Sequence, residues 1–278
     1  VIIALIVGIL AGSFTGIFPG IHINLVSDFL ISGIGYFSGV EPIALVVFIV
    51  AMAITHTFID FVPSIYLGAP EEDSFLAVLP GHQMLREGKG HEAVVLTLLG
   101  SVSALPIVLI FSFVFVLVLP SVYEYFRVAM PFILIFVSLY LILREEEFVI
   151  SFVVFLLAGF LGLFSFNLPV KEPLLPLLTG LFGVSGLIVS LRSKTSISEQ
   201  KIKRLSEIKI EKIWSKLFVA SFAAPLCSFL PGIGSGHAAI IGSELAGKKN
   251  DRRGFLFLVG AISTIVMALS FVTAYAIG

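Results

Sequence analysis

The sequence predicts an all-α polytopic membrane protein made of two inverted-topology repeats, each with a re-entrant helical hairpin broken at a Pro-Gly pair. Three observations predict it. Of the 278 residues, 58% are hydrophobic and 13% charged, with a mean hydropathy of +1.11, whereas an ordinary soluble domain carries about 25% charged residues. Apolar runs recur along the whole chain, and several reach the roughly 20 residues that a helix needs to cross the hydrocarbon of a bilayer. Two of these runs are interrupted near their middle by Phe18-Pro19-Gly20-Ile21 and Leu230-Pro231-Gly232-Ile233. Proline removes a backbone donor and glycine weakens a helix, so each pair is a strong break signal.

Taken in order, the apolar segments fall at about 1–30, 41–66, 93–119, 124–143, 147–166, 173–191, 217–246 and 254–278. The seventh is flanked by Arg192, Lys194, Lys201, Lys203, Arg204, Lys209, Lys212 and Lys216 on one side and by Lys248, Lys249, Arg252 and Arg253 on the other. Positive loops stay in the cytoplasm, so both ends are expected on one side and the segment reads as a hairpin with Pro231-Gly232 at its tip. The first segment lacks lysine and arginine over 31–42 and reads as a matching hairpin that opens outward. Five straight crossings between them make the second hairpin enter from the opposite face. A division follows: 1–143 as the first repeat with hairpin 1–30, 144–216 as connecting helices and a basic cytoplasmic loop, and 217–278 as the start of the second repeat with hairpin 217–246. The chain opens on Val1 and stops at Gly278 within an apolar run, which predicts a truncated second repeat. Phe48 to Thr55 also matches Phe257 to Thr264, each following its Pro-Gly pair by a similar distance. Paired broken helices in inverted repeats are the plan of many secondary transporters, with substrate near the midplane.

Charge and cysteine usage narrow the function. The net charge is −1 and the cations cluster in loops, which speaks for topology rather than nucleic acid. The lone Cys227 excludes a disulfide framework, and no metal-ligand spacing or catalytic motif appears. No cofactor is expected beyond a coupling proton or sodium ion.

The candidate residues lie at the breaks and in one long helix. Gly232, Gly234, Ser235, Gly236 and His237 precede a helix-compatible stretch, where glycines let backbone amides face a ligand and the helix dipole favours an anion. Their other reading is a tight tip. His22 and Asn24 stand in the equivalent place after Gly20 and either contact ligand or satisfy local carbonyls. His56 and Asp60 are four residues apart, which puts them on one helix face, and an ionisable group inside the bilayer is costly unless paired or hydrated. They are candidates for a proton relay or cation site, or else Asp60 pairs with a neighbour near Pro63. The polar stretch from Ala69 to Gly90 reads as a solvated loop, and the basic tract 193–216 as a topology anchor or a surface helix on anionic lipid.

Four motifs, in order, carry a family resemblance: Gly16-Ile-Phe-Pro19-Gly20; Ala69-Pro70-Glu71 followed by Gly81-His-Gln-Met-Leu-Arg86-Glu-Gly88-Lys-Gly90; Gly180-Leu-Phe-Gly183; and Leu230-Pro231-Gly232-Ile-Gly234. Together they resemble the large membrane subunit of the tripartite tricarboxylate transporters. The resemblance implies uptake of a carboxylate-type organic anion driven by an ion gradient, with Pro19, Gly20, Pro231, Gly232 and Gly234 lining the substrate site. It also implies a small membrane subunit and an extracytoplasmic binding protein as partners. His22 departs from the small residues usual in that family, and Gly68-Ala-Pro70-Glu71-Glu72 departs from its Asn-x-Pro-Gly-Glu loop. The expected setting is the cell membrane, as a multi-pass protein that can pair as a homodimer. Transport of a lipid-linked phosphate such as a polyprenyl phosphate is the alternative reading, and an intramembrane enzyme or a channel ranks below it.

Overall fold

A computed structural model of the chain describes residues 1–18, 21, 23, 26–27, 30, 33–68, 74–170, 173, 177, 179–184, 188, 198–208, 210, 213–229, 234–246 and 251–277. Among these residues the regular elements are all helical: α1 (Ile2–Ile17), α2 (Pro42–Ile59), α3 (Phe61–Leu67), α4 (Phe75–Arg86), α5 (Gly90–Arg144), α6 (Phe148–Phe166), α7 (Ile213–Ser228), α8 (Ser235–Ala246) and α9 (Arg252–Ile277), with short turns at Ile34–Phe37, Thr179–Val184 and Leu205–Glu207. Four stretches, Pro42–Leu67, Gly90–Arg144, Phe148–Phe166 and Arg252–Ile277, are long and apolar enough to cross a membrane. The protein is a multi-pass membrane protein.

The chain divides into two units, residues 1–121 with 195–278 and residues 122–194. In the first, α9 is the centre: from Leu256 to Ile265 every side chain is buried, and the helix packs on α2, α4, α7 and α8. Helices in lipid gain nothing from excluding water, so close backbone approach through small residues has to hold them together. Two such contacts are present. Gly8, Gly12 and Gly16 recur every four residues and form one face of α1 laid on α2. A Cβ at Gly8 would stand 2.6 Å from the carbonyl oxygen of Phe48, one at Gly12 would overlap that of Met52, and one at Gly16 would stand 3.0 Å from Cβ of Ile59. Likewise Gly100 of α5 and Gly260 of α9 lie against each other's helix, on the carbonyls of Phe257 and Thr97 respectively. Ser101 Oγ donates to the Gly260 carbonyl at 3.1 Å across the same crossing.

Three elements differ from the sequence reading. The expected turn between 119 and 124 is absent: α5 runs unbroken through Pro120 to Arg144. Its 55 residues are more than twice a single crossing's requirement of about 20, and the boundary between the two units falls next to Pro120, at Ser121. The stretch read as a solvated loop contains α4, whose Ala77, Gly81, Met84 and Leu85 are buried. Those positions follow helical spacing, and the charged residues at both ends hide the pattern. Pro63 interrupts the span that starts at Pro42. It removes the hydrogen bond that would end on the Ile59 carbonyl, so α2 stops at Ile59 and α3 begins at Phe61, with Asp60 at the joint.

Within residues 122–194, α6 exposes Phe148, Phe155, Leu157, Phe160 and Phe164, as expected where lipid is the solvent.

Candidate functional site

Among the described residues, polar side chains on α1, α2, α3 and α9 form a buried constellation of ionisable and hydroxyl groups in the first unit. His56 in the last turn of α2 is 2% exposed and Asp60 is wholly buried. His56 Nδ1 lies 2.9 Å from Thr15 Oγ1 of α1, and Thr15 Oγ1 donates to the Gly12 carbonyl at 3.2 Å. Thr15 reaches the imidazole because Gly12 and Gly16, on either side of it, allow α1 to sit against α2. Beyond the joint, Ser64 Oγ donates to the Asp60 carbonyl at 2.8 Å and pairs with Ser74 Oγ at 2.6 Å. On the α9 side, Thr57 Oγ1 meets Thr264 Oγ1 at 3.2 Å. These hydroxyls keep the interior polar around His56 and Asp60.

The spacing of His56 and Asp60 singled out both in the sequence, and both are buried. Thr15, Thr57, Ser64 and Thr264 carry no signal of their own, since threonine and serine are common in membrane helices. The available clue was the Gly8, Gly12, Gly16 spacing, which marks the packed face of α1 that Thr15 shares.

The break regions are described in part. Pro19, Gly20, His22, Asn24, Pro231 and Gly232 lie outside the described residues. On either side of the first break, α1 ends at Ile17, and Phe18 adopts extended backbone (φ −97°, ψ 102°), the conformation that a following proline imposes. Just past it, Ile23 packs with Met52 and Ala53 at mid-length in α2, and Met267 and Phe271 of α9 join the same cluster. At the second break, α7 ends at Ser228 and α8 begins at Ser235, and the two helices pack on each other and on α9. Phe229 stacks edge-on against Phe115 of α5, centroids 6.0 Å apart. The Gly234 carbonyl accepts from Ala238 N–H at 3.2 Å. Ser235 and Gly236 are buried and His237 is exposed, so the serine and the histidine face different surroundings.

A second polar network joins the start of α5 to α9. Glu92, 2% exposed, pairs with Lys203 at 2.7 Å and with Arg253. Glu87 pairs with Lys89 at 2.8 Å and Arg252 at 2.7 Å. The hydrogen bond from Lys89, then that from Arg252, holds the Glu87 carboxyl below the usual carboxylate range. The basic tract is strapped to this network: Gln200 accepts from Gly90 N–H at 2.8 Å and donates to the Leu85 carbonyl at 3.0 Å, while Ser198 Oγ donates to that of Arg86 at 2.8 Å. Residues 198–204 are non-helical, followed by a short turn at Leu205–Glu207. An open groove of about 220 Å³ lined by Leu79, Pro80, Gln83, Arg252 and Phe255 lies beside the network.

A family model described as the tripartite tricarboxylate transporter TctA family matches residues 2–278. An uncharacterized protein of Methanocaldococcus jannaschii is 31% identical over 272 residues, which cover 93% of this chain and 64% of the relative. The chain thus spans less than two thirds of that protein's length. No solved structure matches significantly.

Proposed function

The chain belongs to the tripartite tricarboxylate transporter TctA family, and on that premise we propose that it is a secondary transporter moving a carboxylate-type organic anion, coupled to a proton or sodium gradient. The observation that carries this reading is the enclosure of His56 and Asp60 in a membrane-length stretch that is jointed at Asp60. Ionisable groups inside a membrane helix are destabilising by about 2.5–3.5 kcal/mol on insertion scales and typically mark ion pathways.

In this reading the substrate binds between the two Pro-Gly tips, on Pro19, Gly20, His22 and Asn24 from one side and Pro231, Gly232, Gly234, Ser235, Gly236 and His237 from the other. Two contacts support a deep position for both tips. Ile23 packs at mid-length in α2, and Phe229 packs on Phe115, within the apolar part of α5. Helices α7 and α8 have 16 and 12 residues, each short of a full crossing, as hairpin arms should be. The matched stretches 48–55 and 257–264 lie on α2 and α9, which pack on each other, as expected at the interface of two repeats. The family further points to a small membrane subunit and an extracytoplasmic binding protein as partners.

The test is uptake of labelled di- and tricarboxylates into proteoliposomes holding the full-length protein, under imposed proton or sodium gradients. Saturable uptake that follows one gradient is the expected result. Uptake that rises without saturation and ignores both gradients would contradict a carrier.

A further inference from the structure

We infer that the groove between α4 and α9 binds an anionic membrane phospholipid, with the phosphate on Arg252 and Gln83 and an acyl chain on Leu79, Pro80 and Phe255. The site uses none of the residues assigned above to substrate or coupling ion.

The groove has a polar end and an apolar end, in the order that a bilayer has. Leu79, Pro80 and Gln83 line it from α4, and Arg252 and Phe255 line it from α9. Residues three or four apart are neighbours on a helix surface, so Gln83 stands a turn beyond Leu79 and Pro80, and Phe255 a turn beyond Arg252. Glu87, which caps the end of α4, holds Arg252 at the start of α9 at 2.7 Å. The two polar residues therefore share one end of the groove. Helix α9 is long and apolar enough to cross a membrane from Arg252 onward, which puts Arg252 at head-group depth and Phe255 a turn deeper, among acyl chains. Leu79 is 70% exposed, as suits a side chain whose solvent is lipid.

The charge at the polar end suits an anion. Glu87 holds both Lys89 and Arg252, and Glu92 holds both Lys203 and Arg253, so each carboxylate is outnumbered by its cations. Asp251, beside Arg252 in the chain, accepts from Gly254 N–H at 2.9 Å. Lys201 and Arg204 of the strapped segment are exposed. Arg252 meets Glu87 through Nη1, and a guanidinium has further N–H donors with which to grip a phosphate bidentately. Positive loops stay in the cytoplasm, and basic pockets between membrane helices on that side bind anionic head groups. A soluble anion would leave the apolar half of the groove unused, and an uncharged lipid would leave Arg252 unused.

The test is thermal unfolding of the full-length protein in neutral detergent, titrated with phosphatidylglycerol, phosphatidylcholine or inorganic phosphate. A ligand of the folded state raises the midpoint as its concentration rises. Phosphatidylglycerol should raise it saturably, and the other two should do so far more weakly. Arg252→Gln should weaken the response to phosphatidylglycerol about tenfold in concentration, the scale of one hydrogen bond to a charged group. Leu79→Ser should weaken it at least about threefold through lost apolar burial. Glu87→Gln breaks the same ion pair as Arg252→Gln but keeps the guanidinium, so its affinity for phosphatidylglycerol should equal or exceed the parent's. An equal loss in both variants would assign the effect to the ion pair and overturn the inference. Equal responses to the two lipids would mean unspecific solvation, and inorganic phosphate binding as tightly as phosphatidylglycerol would mean a site for a free anion. Either overturns it, as does a phosphatidylglycerol response that is absent in the parent or unchanged in Arg252→Gln.

Discussion

At the scale of single residues, the proposed coupling chemistry sits where the chain had the least freedom to place polar groups. His56 and Asp60 were legible in the sequence because an ionisable residue in an apolar run is expensive and therefore informative. Thr15 was not, because a helical threonine can bond its own backbone anywhere; only the face it shares with Gly12 and Gly16 gives it a role. The same face supplies a first prediction. Gly12→Leu would drive a side chain into the Met52 carbonyl, so α1 must move off α2 and take Thr15 from His56. Overpacking of this kind typically destabilises by about 1–3 kcal/mol. Thermal unfolding in detergent should show a lowered midpoint, and an unchanged one would mean that α1 does not pack as described. A second prediction concerns Glu87. Its folded-state pKa lies below the ordinary value, because Lys89 and Arg252 favour the charged form. Such a group stabilises the fold above its unfolded pKa, and the contribution is lost as pH falls through the folded value. Hydrogen exchange at the strapped segment 198–203 should therefore quicken on acidification through the carboxylate range, and Glu87→Gln should show the faster exchange already at neutral pH.

At the scale of elements, long uniform apolar runs were readable within a few residues. The expected 41–66, 147–166 and 254–278 correspond to Pro42–Leu67, Phe148–Phe166 and Arg252–Ile277. Reading failed where a local signal and the surrounding packing disagree. Pro120 and the polar group Ser121 to Glu124 look like a turn, yet α5 continues through them, since a proline inside a helix removes one bond without forcing a stop. Helix α4 was hidden by its charged ends, although Ala77, Met84 and Leu85 keep a helical stripe. Beside the first Pro-Gly pair α1 ends at Ile17 and Phe18 has extended backbone, but the pairs themselves and most of the residues assigned there to substrate lie outside the described ones. The jointed span is the element whose form the proposed function needs most. Pro63→Ala restores the donor for the Ile59 carbonyl and should tighten the turn around Asp60, whose own backbone is already helical (φ −58°, ψ −21°), shifting its side chain relative to His56. Gradient-driven uptake should fall at least about tenfold, as displacement of a binding group by an ångström can do, while the protein still inserts and purifies as the parent does. Parent-level uptake in this variant would remove the joint from the mechanism.

For the whole molecule, packing and chemistry depend on the same few helices. α9 is the central helix of the first unit, and it holds α2 through Thr57 and Thr264 and α5 through Gly100 and Gly260, and packs on α7 and α8. A shift of the first tip would reach α2, one turn before His56, through Ile23 and Met52, a route by which substrate binding and ion binding can influence each other. Membrane location and helical class were evident from composition alone. The proposed repeat arrangement rests on the paired Pro-Gly breaks and the matched stretches, and the proposed substrate class on family membership. The most direct test of the account is the substrate-evoked current of the full-length protein on a supported membrane, recorded with and without a proton or sodium gradient, beside Asp60→Asn and Gly234→Leu. The account predicts a saturating carboxylate-dependent current that follows the gradient in the parent protein. In Asp60→Asn that gradient dependence should be gone, and in Gly234→Leu no current should remain. A gradient-dependent current of parental size in both variants would contradict it.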